Sequence, residues 1–446
     1  MRFFKHSGHY YYEISMWRIE PPLENRNGEL FIDGCSASQL AKQYGTPLYV
    51  MSETRIRENY RRLNAAFQKH YADFRLYYAV KANNNLSVLS ILRQEGSGAD
   101  CSAPSEIFLA LKAGFKKTDL LYTGNYNTLD ELRYAAENNV TINLDDVTLI
   151  DKLVSMAKPT DVAGLCFRFN PGMGSSGMEK LVFAGPDAKF GILENRIIDG
   201  YRRAKQLGFR NFGIHMMTGS NVLNEQYFPQ VAEILFNTAA RITREVGIEF
   251  SFINIGGGFG VPYKPGENNL DVEAVAKMVT DKFKEKITDT GSRPKLLIEP
   301  GRYIACDAGV LLARVHHVKN TSTKTIVGTD AGMNTLLRPA MYNSYHEILV
   351  ANKLNETQKE TVTVTGQVCE NTDHLARDRS MSKISEGDLL AVLNVGAYGF
   401  AMSSQYNSRP RSAEVLARDG ESELIREAEG FEDIVGKQKV PQRLQK

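Results

Sequence analysis

The chain has 446 residues, a net charge of +2, 42% hydrophobic residues and 24% charged residues. That length predicts two domains, one of them large, with the composition of an ordinary globular protein. A near-neutral charge with no basic block or acidic tail argues against a nucleic-acid or membrane-surface partner, and no window approaches the ~18 continuous apolar residues of a membrane span.

In chain order, the first element is a strand in ELFIDG (29–34), expected to join a β domain formed by the far end of the chain. From residue 76 to 303 a repeating unit follows, in which a short apolar run ends in polar or Gly residues and leads into an amphipathic stretch. The runs are 76–83, 98–103, 120–125, 141–146, 164–172, 212–220, 251–260 and 294–303. Helices are predicted at 128–139, 196–208 and 225–247, the first opened by a Thr128/Glu131 capping box. Val272, Val275, Ala276, Val279 and Phe283 share one face of a 3.6-residue period.

Eight strand–helix units predict an α/β (β/α)8 TIM-like barrel, with an open doubly wound sheet as the alternative. The barrel is preferred because polar or Gly residues gather at the C-terminal end of every strand, where barrel active sites sit. Beyond residue 306 the texture turns to Val- and Thr-rich alternation, and Asp419-Gly420 marks a hairpin. The predicted organisation is 1–48 as an N-terminal segment joining the β domain, 49–306 as the barrel, and 307–446 as a C-terminal β-sandwich or β-barrel domain. The first ~20 residues and the tail KQKVPQRLQK are expected to be weakly packed.

Arg2, Lys5, His6, Arg18 and Glu20 interrupt the start of the chain. No secretory signal is therefore expected, and the predicted location is cytoplasmic. Five cysteines at wide spacings suggest neither a disulfide framework nor a zinc knuckle, and each is by default a buried thiol. The eight histidines form no H-E-x-x-H or His-Cys cluster, so no metal site is expected. His316 and His317 lie in an alternating strand, where neighbours face opposite sides.

Lys81, near the end of YAVKAN, is either a rim charge or a catalytic amine whose pKa burial would lower. Gly256, Gly257, Gly258 and Gly260 follow the seventh strand, where backbone N–H groups can approach a phosphate. The spacing is not that of a dinucleotide fingerprint. Glu299, Pro300, Gly301 and Arg302 end the eighth strand, and loops after strands 7 and 8 commonly build a phosphate site. Arg302 could pair with a phosphate, or Glu299 and Arg302 could form a rim ion pair. Arg338 and Tyr342 in RPAMY, Cys369-Glu370-Asn371 and Tyr398 in GAYG are not specific one by one.

Taken in order, YAVKAN, GADCSAPSE, HMMTGSN, GGGFG, EPGR, RPAMY, CEN and GAYG resemble the fold-type III pyridoxal-phosphate (PLP) decarboxylases, and among them the diaminopimelate decarboxylases. The resemblance spans about residues 29 to 430 and includes YGTPLYV, KFGI, MYNSYH and YNSRPR. It implies that Lys81 binds pyridoxal 5'-phosphate covalently and that Glu299 pairs with the pyridine nitrogen. Ser220, Gly256, Gly257, Gly258 and Arg302 would contact the phosphate, with Pro300, Gly301 and Tyr398 completing the cofactor site. Arg302, Arg338, Tyr342, Glu370 and Tyr398 would bind substrate, and Cys369 would donate a proton. A thiol suits that task because its ordinary pKa of ~8.5 keeps it protonated near neutrality.

The resemblance also implies a homodimer whose sites are shared, the Cys-Glu segment coming from the other chain. The implied reaction is decarboxylation of meso-2,6-diaminopimelate to L-lysine and CO2, the last step of lysine biosynthesis. Arg338 fits a substrate carrying a second carboxylate. A decarboxylase for ornithine, lysine, arginine or carboxynorspermidine, and a non-catalytic paralogue, are the alternatives. Two positions depart from the pattern: Met217 stands where the family has a histidine stacked on the cofactor ring, and Asn371 replaces a serine. His215 reads as a hydrogen-bonded core histidine.

Overall fold

The computed structural model describes residues 5–6, 9–10, 19–173, 175–176, 184–185, 188–287 and 291–445. Eight strands carry the barrel: Phe74–Ala79, Gly98–Cys101, Leu120–Tyr122, Thr141–Leu144, Gly164–Asn170, Phe212–Met216, Phe250–Asn254 and Lys295–Ile298. Each pairs in parallel with the next, and Lys295–Ile298 pairs with Phe74–Ala79, so the sheet closes. Closure decides for the barrel over the open sheet. The apolar runs follow from it, since strands walled by helices outside and side chains inside are buried on both faces.

Packing inside the barrel explains two small residues. The Phe252 ring lies where a Cβ at Gly213 would be, 2.0 Å away, and the Tyr77 ring does the same at Gly98, 2.4 Å away. Tyr77 and Phe252 cluster with Leu121, Cys166 and Leu297 in this inner layer. Large side chains facing glycines pack the interior here.

The predicted helices form. Leu129–Glu137 is capped by Thr128 with both halves of the capping box made. Val272–Ile287 buries the predicted stripe of Val272, Val275, Ala276, Val279 and Phe283. Glu53–Gln68, capped by Ser52, is the first helix packed on the barrel.

The β domain is built on the long strand Gly309–Asn320, which pairs with Leu48–Ser52, Thr325–Thr329 and Leu389–Leu393. Lys359–Thr365 and His374–Ser382 extend it, and Ala413–Arg418 pairs in parallel with Leu48–Ser52. The predicted hairpin at Asp419-Gly420 joins Ala413–Arg418 to Glu421–Arg426.

The N-terminal strand that enters this sheet is Leu48–Ser52, which straddles the expected boundary at 48/49. Glu29–Ile32 instead forms a three-stranded antiparallel sheet with Leu23–Arg26 and Cys35–Ser36. The burial patterns give the reason. Every residue of Leu48–Ser52 is buried, as a strand between two others requires, whereas Glu29–Ile32 is half-buried at alternate positions. The small sheet still docks on the β domain, with Leu30 and Ile32 in its core and the Leu30 N–H donating to Ala351 O at 2.7 Å.

His316 and His317 are both exposed, His316 beside Asp330 and His317 beside Glu386, and a register shift falls between Val315 and His317. Four cysteines are buried and Cys369 is exposed. Residues 437–445 of the tail are exposed, and the expectation for the first ~20 residues falls mostly outside the described residues. No helix among the described residues is long and apolar enough to cross a membrane.

Candidate active site

The C-terminal mouth of the barrel holds a cavity lined by Lys81, Arg168, His215, Met217, Ser220, Gly258, Glu299, Gly301, Arg302 and Tyr398, with Ala79, Thr123, Asn221 and Phe259. These residues come from the ends of the first, third, fifth, sixth, seventh and eighth barrel strands and from the β domain. The eight strands thus converge side chains that the sequence holds far apart.

Lys81 sits in a single helical turn just beyond the first strand. Its Nζ donates to Asp100 Oδ2 at 3.1 Å and Ser102 Oγ at 3.3 Å. Protein surrounds the side chain, yet 45% of it is open, because it faces the cavity rather than bulk solvent. Desolvation alone would push the ammonium pKa down, as the sequence reading supposed. Asp100, Tyr398, Glu299 and Glu106 outweigh it, and the pKa is raised. The lysine is held as a cation by a nest of acidic groups.

Across the cavity, Glu299 is buried. Its Oε2 pairs with His215 Nε2 at 3.0 Å, and its Oε1 accepts from Asn254 Nδ2 at 2.6 Å. Burial pushes this carboxyl up, but His215, Lys81 and Asn254 more than reverse it, leaving the pKa below the ordinary value. His215 is therefore a core histidine as read, with the added task of holding Glu299. Asp100 is fully buried, and burial beside Glu299 raises its pKa against the pull of Lys81. Glu106, partly exposed, accepts from the Ser102 N–H at 2.6 Å, and burial pushes it up to about 7.

The glycine loop shapes the floor. Gly256 has φ +72°, and a Cβ there would lie 2.3 Å from Met216 O; at Gly257 it would lie 2.4 Å from Glu299 O. Only glycine lets this loop lie against the neighbouring strand ends. The Gly256 N–H donates to Asn254 Oδ1 at 2.9 Å and the Gly257 N–H to Met217 Sδ at 3.3 Å. Of the three glycines, Gly258 lines the cavity, beside Ser220 and Arg302. Arg302 Nη2 donates to Ser220 Oγ at 3.4 Å, and its guanidinium lies 4.9 Å from the Tyr398 ring centroid. Gly301 packs against Ala82, Ala79 and the Tyr398 hydroxyl, and Pro300 O accepts from the Ala79 N–H.

These residues fit pyridoxal phosphate. Asp100 Oδ1, His215 Nδ1 and Arg302 Nε are buried polar atoms with no hydrogen-bond partner among the described residues. A guanidinium, a loop glycine, a lysine and a carboxylate held below its ordinary pKa all line this one cavity.

Four expected substrate or proton-donating residues do not line the cavity. Arg338 is 1% exposed and stacks among the rings of Tyr263, Tyr342 and Tyr398, with its guanidinium 5.7, 5.8 and 5.9 Å from their centroids. Neither it nor Tyr342 is among the residues that line the cavity. Cys369 and Glu370 are exposed on the loop between Lys359–Thr365 and His374–Ser382. The Cys369 N–H donates to Asn407 Oδ1 at 2.7 Å, and Glu370 Oε1 accepts from Thr372. Asp100, Glu106, Arg168 and Tyr263 were not singled out from sequence. Asp100 and Glu106 lie in the quoted GADCSAPSE, and a carboxylate at a barrel strand end was the available signal.

Residues 54–306 match the family described as pyridoxal-dependent decarboxylase, pyridoxal binding domain. The chain is 47% identical over 428 residues to a diaminopimelate decarboxylase of Methanothermobacter thermautotrophicus, covering 96% of this chain and 99% of the relative. It is 37% identical to one from Archaeoglobus fulgidus, covering 94% and 99%. The crystal structure of diaminopimelate decarboxylase from M. jannaschii in co-complex with L-lysine is similar, with a TM-score of 0.87, 33% identity and coverage of 95% and 98%. The barrel with a lysine at its mouth defines a PLP-fold enzyme. The chain belongs to the pyridoxal-dependent decarboxylase family.

Proposed function

We propose that this chain decarboxylates meso-2,6-diaminopimelate to L-lysine and CO2. The observation that carries the reading is Lys81 facing the Glu299–His215 pair across one cavity, with Ser220 and Arg302 beside the glycine loop. Pyridoxal phosphate, when bound, supplies an electron sink for the electron pair left by a departing carboxylate. Lys81 supplies the amine that holds the cofactor. Glu299, its pKa held down by His215, Lys81 and Asn254, would pair with the pyridine nitrogen and favour its protonated form. Ser220, Gly258 and Arg302 anchor the phosphate, with Gly256 and Gly257 shaping the loop, while Pro300, Gly301 and Tyr398 close the pocket.

Substrate choice rests on cations. Arg302, Arg338, Tyr342, Glu370 and Tyr398 bind the substrate, and the Arg338 guanidinium suits a second carboxylate that ornithine and lysine lack. Cys369 gives its proton to the carbon that has lost CO2. In this reading the chain works as a cytoplasmic homodimer, and Cys369 and Glu370 reach the cavity of a second copy. Their exposure on a loop that does not line their own cavity supports this, and five free thiols suit a reducing compartment.

Absorbance of the purified protein with PLP, read with and without meso-diaminopimelate while lysine is assayed, tests the proposal. A visible band that Lys81→Ala abolishes, accompanied by lysine formation, is expected. A band without lysine would overturn the substrate, and no band would overturn the cofactor site.

A further inference from the structure

Tyr263 lies four residues past the loop glycines' phenylalanine, Phe259, and is 3% exposed. Four side chains from two stretches distant in sequence, 302–306 and 338–346, meet on it. Arg302 Nη1 donates to its hydroxyl, which also lies 3.0 Å from Cys306 Sγ. Its ring centroid is 5.7 Å from the guanidinium carbons of both Arg302 and Arg338. The His346 ring stands edge-on at 5.3 Å.

The direction of the hydrogen bonds follows from donor supply. The Cys306 thiol donates to Asn394 O at 3.1 Å, an atom that only accepts. The Cys306 sulfur must therefore accept from Tyr263, whose oxygen accepts from Arg302. The result is a one-way chain, Arg302 to Tyr263 to Cys306 to Asn394, running from the barrel's eighth strand end to the β domain. Asn394 Nδ2 in turn donates to Pro262 O at 3.0 Å, beside Tyr263.

Electrostatics require such a hub. Two guanidiniums packed together repel, and desolvation with the Arg302 charge pulls the Arg338 pKa down while Tyr263 pulls it up. An electron-rich ring face offsets that repulsion for both. His346 adds no third charge. Its Nδ1 donates to Leu393 O at 2.9 Å, and burial with the nearby arginines pushes its pKa down to about 3.

We propose that Tyr263 is a positioning residue that aims Arg302 through its hydroxyl and seats Arg338 through its ring, fixing how far apart the two cations stand. It thereby links cofactor anchoring to substrate selection, and it rests on the roles given above to those two arginines. Hydroxyl and ring make separable contributions, so two variants divide them.

The experiment titrates PLP into apoprotein by absorbance and separately measures KM and kcat for meso-diaminopimelate. Tyr263→Phe keeps the ring and removes the hydroxyl. It is expected to weaken PLP binding about tenfold, the size of one lost charge-assisted bond. Tyr263→Met fills the volume without a ring. It is expected to weaken PLP binding as much and to raise KM about tenfold beyond the Phe variant, with kcat changed less.

Unchanged PLP affinity in Tyr263→Phe, or equal KM in both variants, overturns the proposal. Arg302→Lys separates this from failure of the underlying reading. If that substitution leaves PLP affinity intact, the assignment of Arg302 falls and Tyr263 with it. If Arg302→Lys weakens binding and Tyr263→Phe does not, only the Tyr263 inference falls. Should Tyr263→Met not fold, the volume-conserving Phe variant decides the hydroxyl's part by PLP affinity alone.

Discussion

The barrel mouth and the loop carrying Cys369 are built on opposite plans. At the mouth every charged group has a fixed partner within one chain. Lys81 is paired with Asp100, Glu299 with His215 and Asn254, and Arg302 with Tyr263 and Ser220. On the 366–373 loop the expected proton donor is open to solvent, and Glu370 bonds only within its own turn or to nearby Thr372 among the described residues. Preorganised charge is what stabilises developing charge during a reaction. The Cys369 thiol is exposed and does not line that cavity. On the proposed reading, the difference is that between a cofactor site preorganised within one chain and a proton donor that serves the cavity of a second copy.

Mixing two dead variants tests that contrast most severely. Lys81→Ala and Cys369→Ala should each lose about 100-fold or more in kcat, the scale of a missing nucleophile or acid. Mixed, unfolded together and refolded, they should regain about a quarter of wild-type activity. Half of randomly paired dimers would be mixed, and each of those would carry one intact composite site. No regain would place Cys369 with its own chain's cavity, or remove it from the reaction.

The legible part of this molecule was its periodic part. Eight apolar runs with polar C-terminal ends predicted all eight barrel strands, because closure buries both faces of each one. Thr128 and Glu131 predicted a helix start because the capping box is local. The residues at strand ends, Lys81, Glu299 and Arg302, were legible for the same reason. What failed depended on packing between distant segments. Glu29–Ile32 carries strand chemistry, but only its half-buried register shows that it pairs outside the main sheet. The expectation that burial would lower the pKa of Lys81 counted desolvation and missed Asp100 and Glu106, whose carboxylates arrive from the next strand and helix. Tyr263 was invisible because residues 302, 306, 338 and 346 give no sign in sequence that they meet.

Arg338 sharpens the comparison from the other side, since it is preorganised yet hidden. Replacing it by Met conserves apolar volume among the three tyrosines and removes the charge. Arg338→Met should raise KM for meso-diaminopimelate by about 30-fold, within the 1.5–3 kcal/mol range of a charge-assisted bond, and leave PLP affinity near wild type. Steady-state kinetics beside a PLP titration checks both. A fall in PLP affinity without a change in KM would show that Arg338 supports the cofactor pocket and not the substrate.

The smallest effect concerns the acidic nest around Lys81, and it appears as stability rather than rate. Burial raises the Glu106 pKa from 4.5 to about 7, against the pull of the Ser102 N–H and Lys81. Between those two pH values the folded apoprotein binds more protons than the unfolded chain. Its stability contribution therefore falls as pH rises from 4.5 toward 7, and the loss is complete above. Glu106→Gln removes that titration while keeping an oxygen that can accept from Ser102. Because Glu106 is partly exposed, solvent screening limits the gain to about 1–2 kcal/mol at a pH of about 8. Near pH 4.5 the variant and the wild type should converge. Thermal unfolding of the two apoproteins across this range measures the difference directly. A constant gap at all pH values would mean that Glu106 acts through packing, and that the groups holding Lys81 cationic are Asp100, Tyr398 and Glu299.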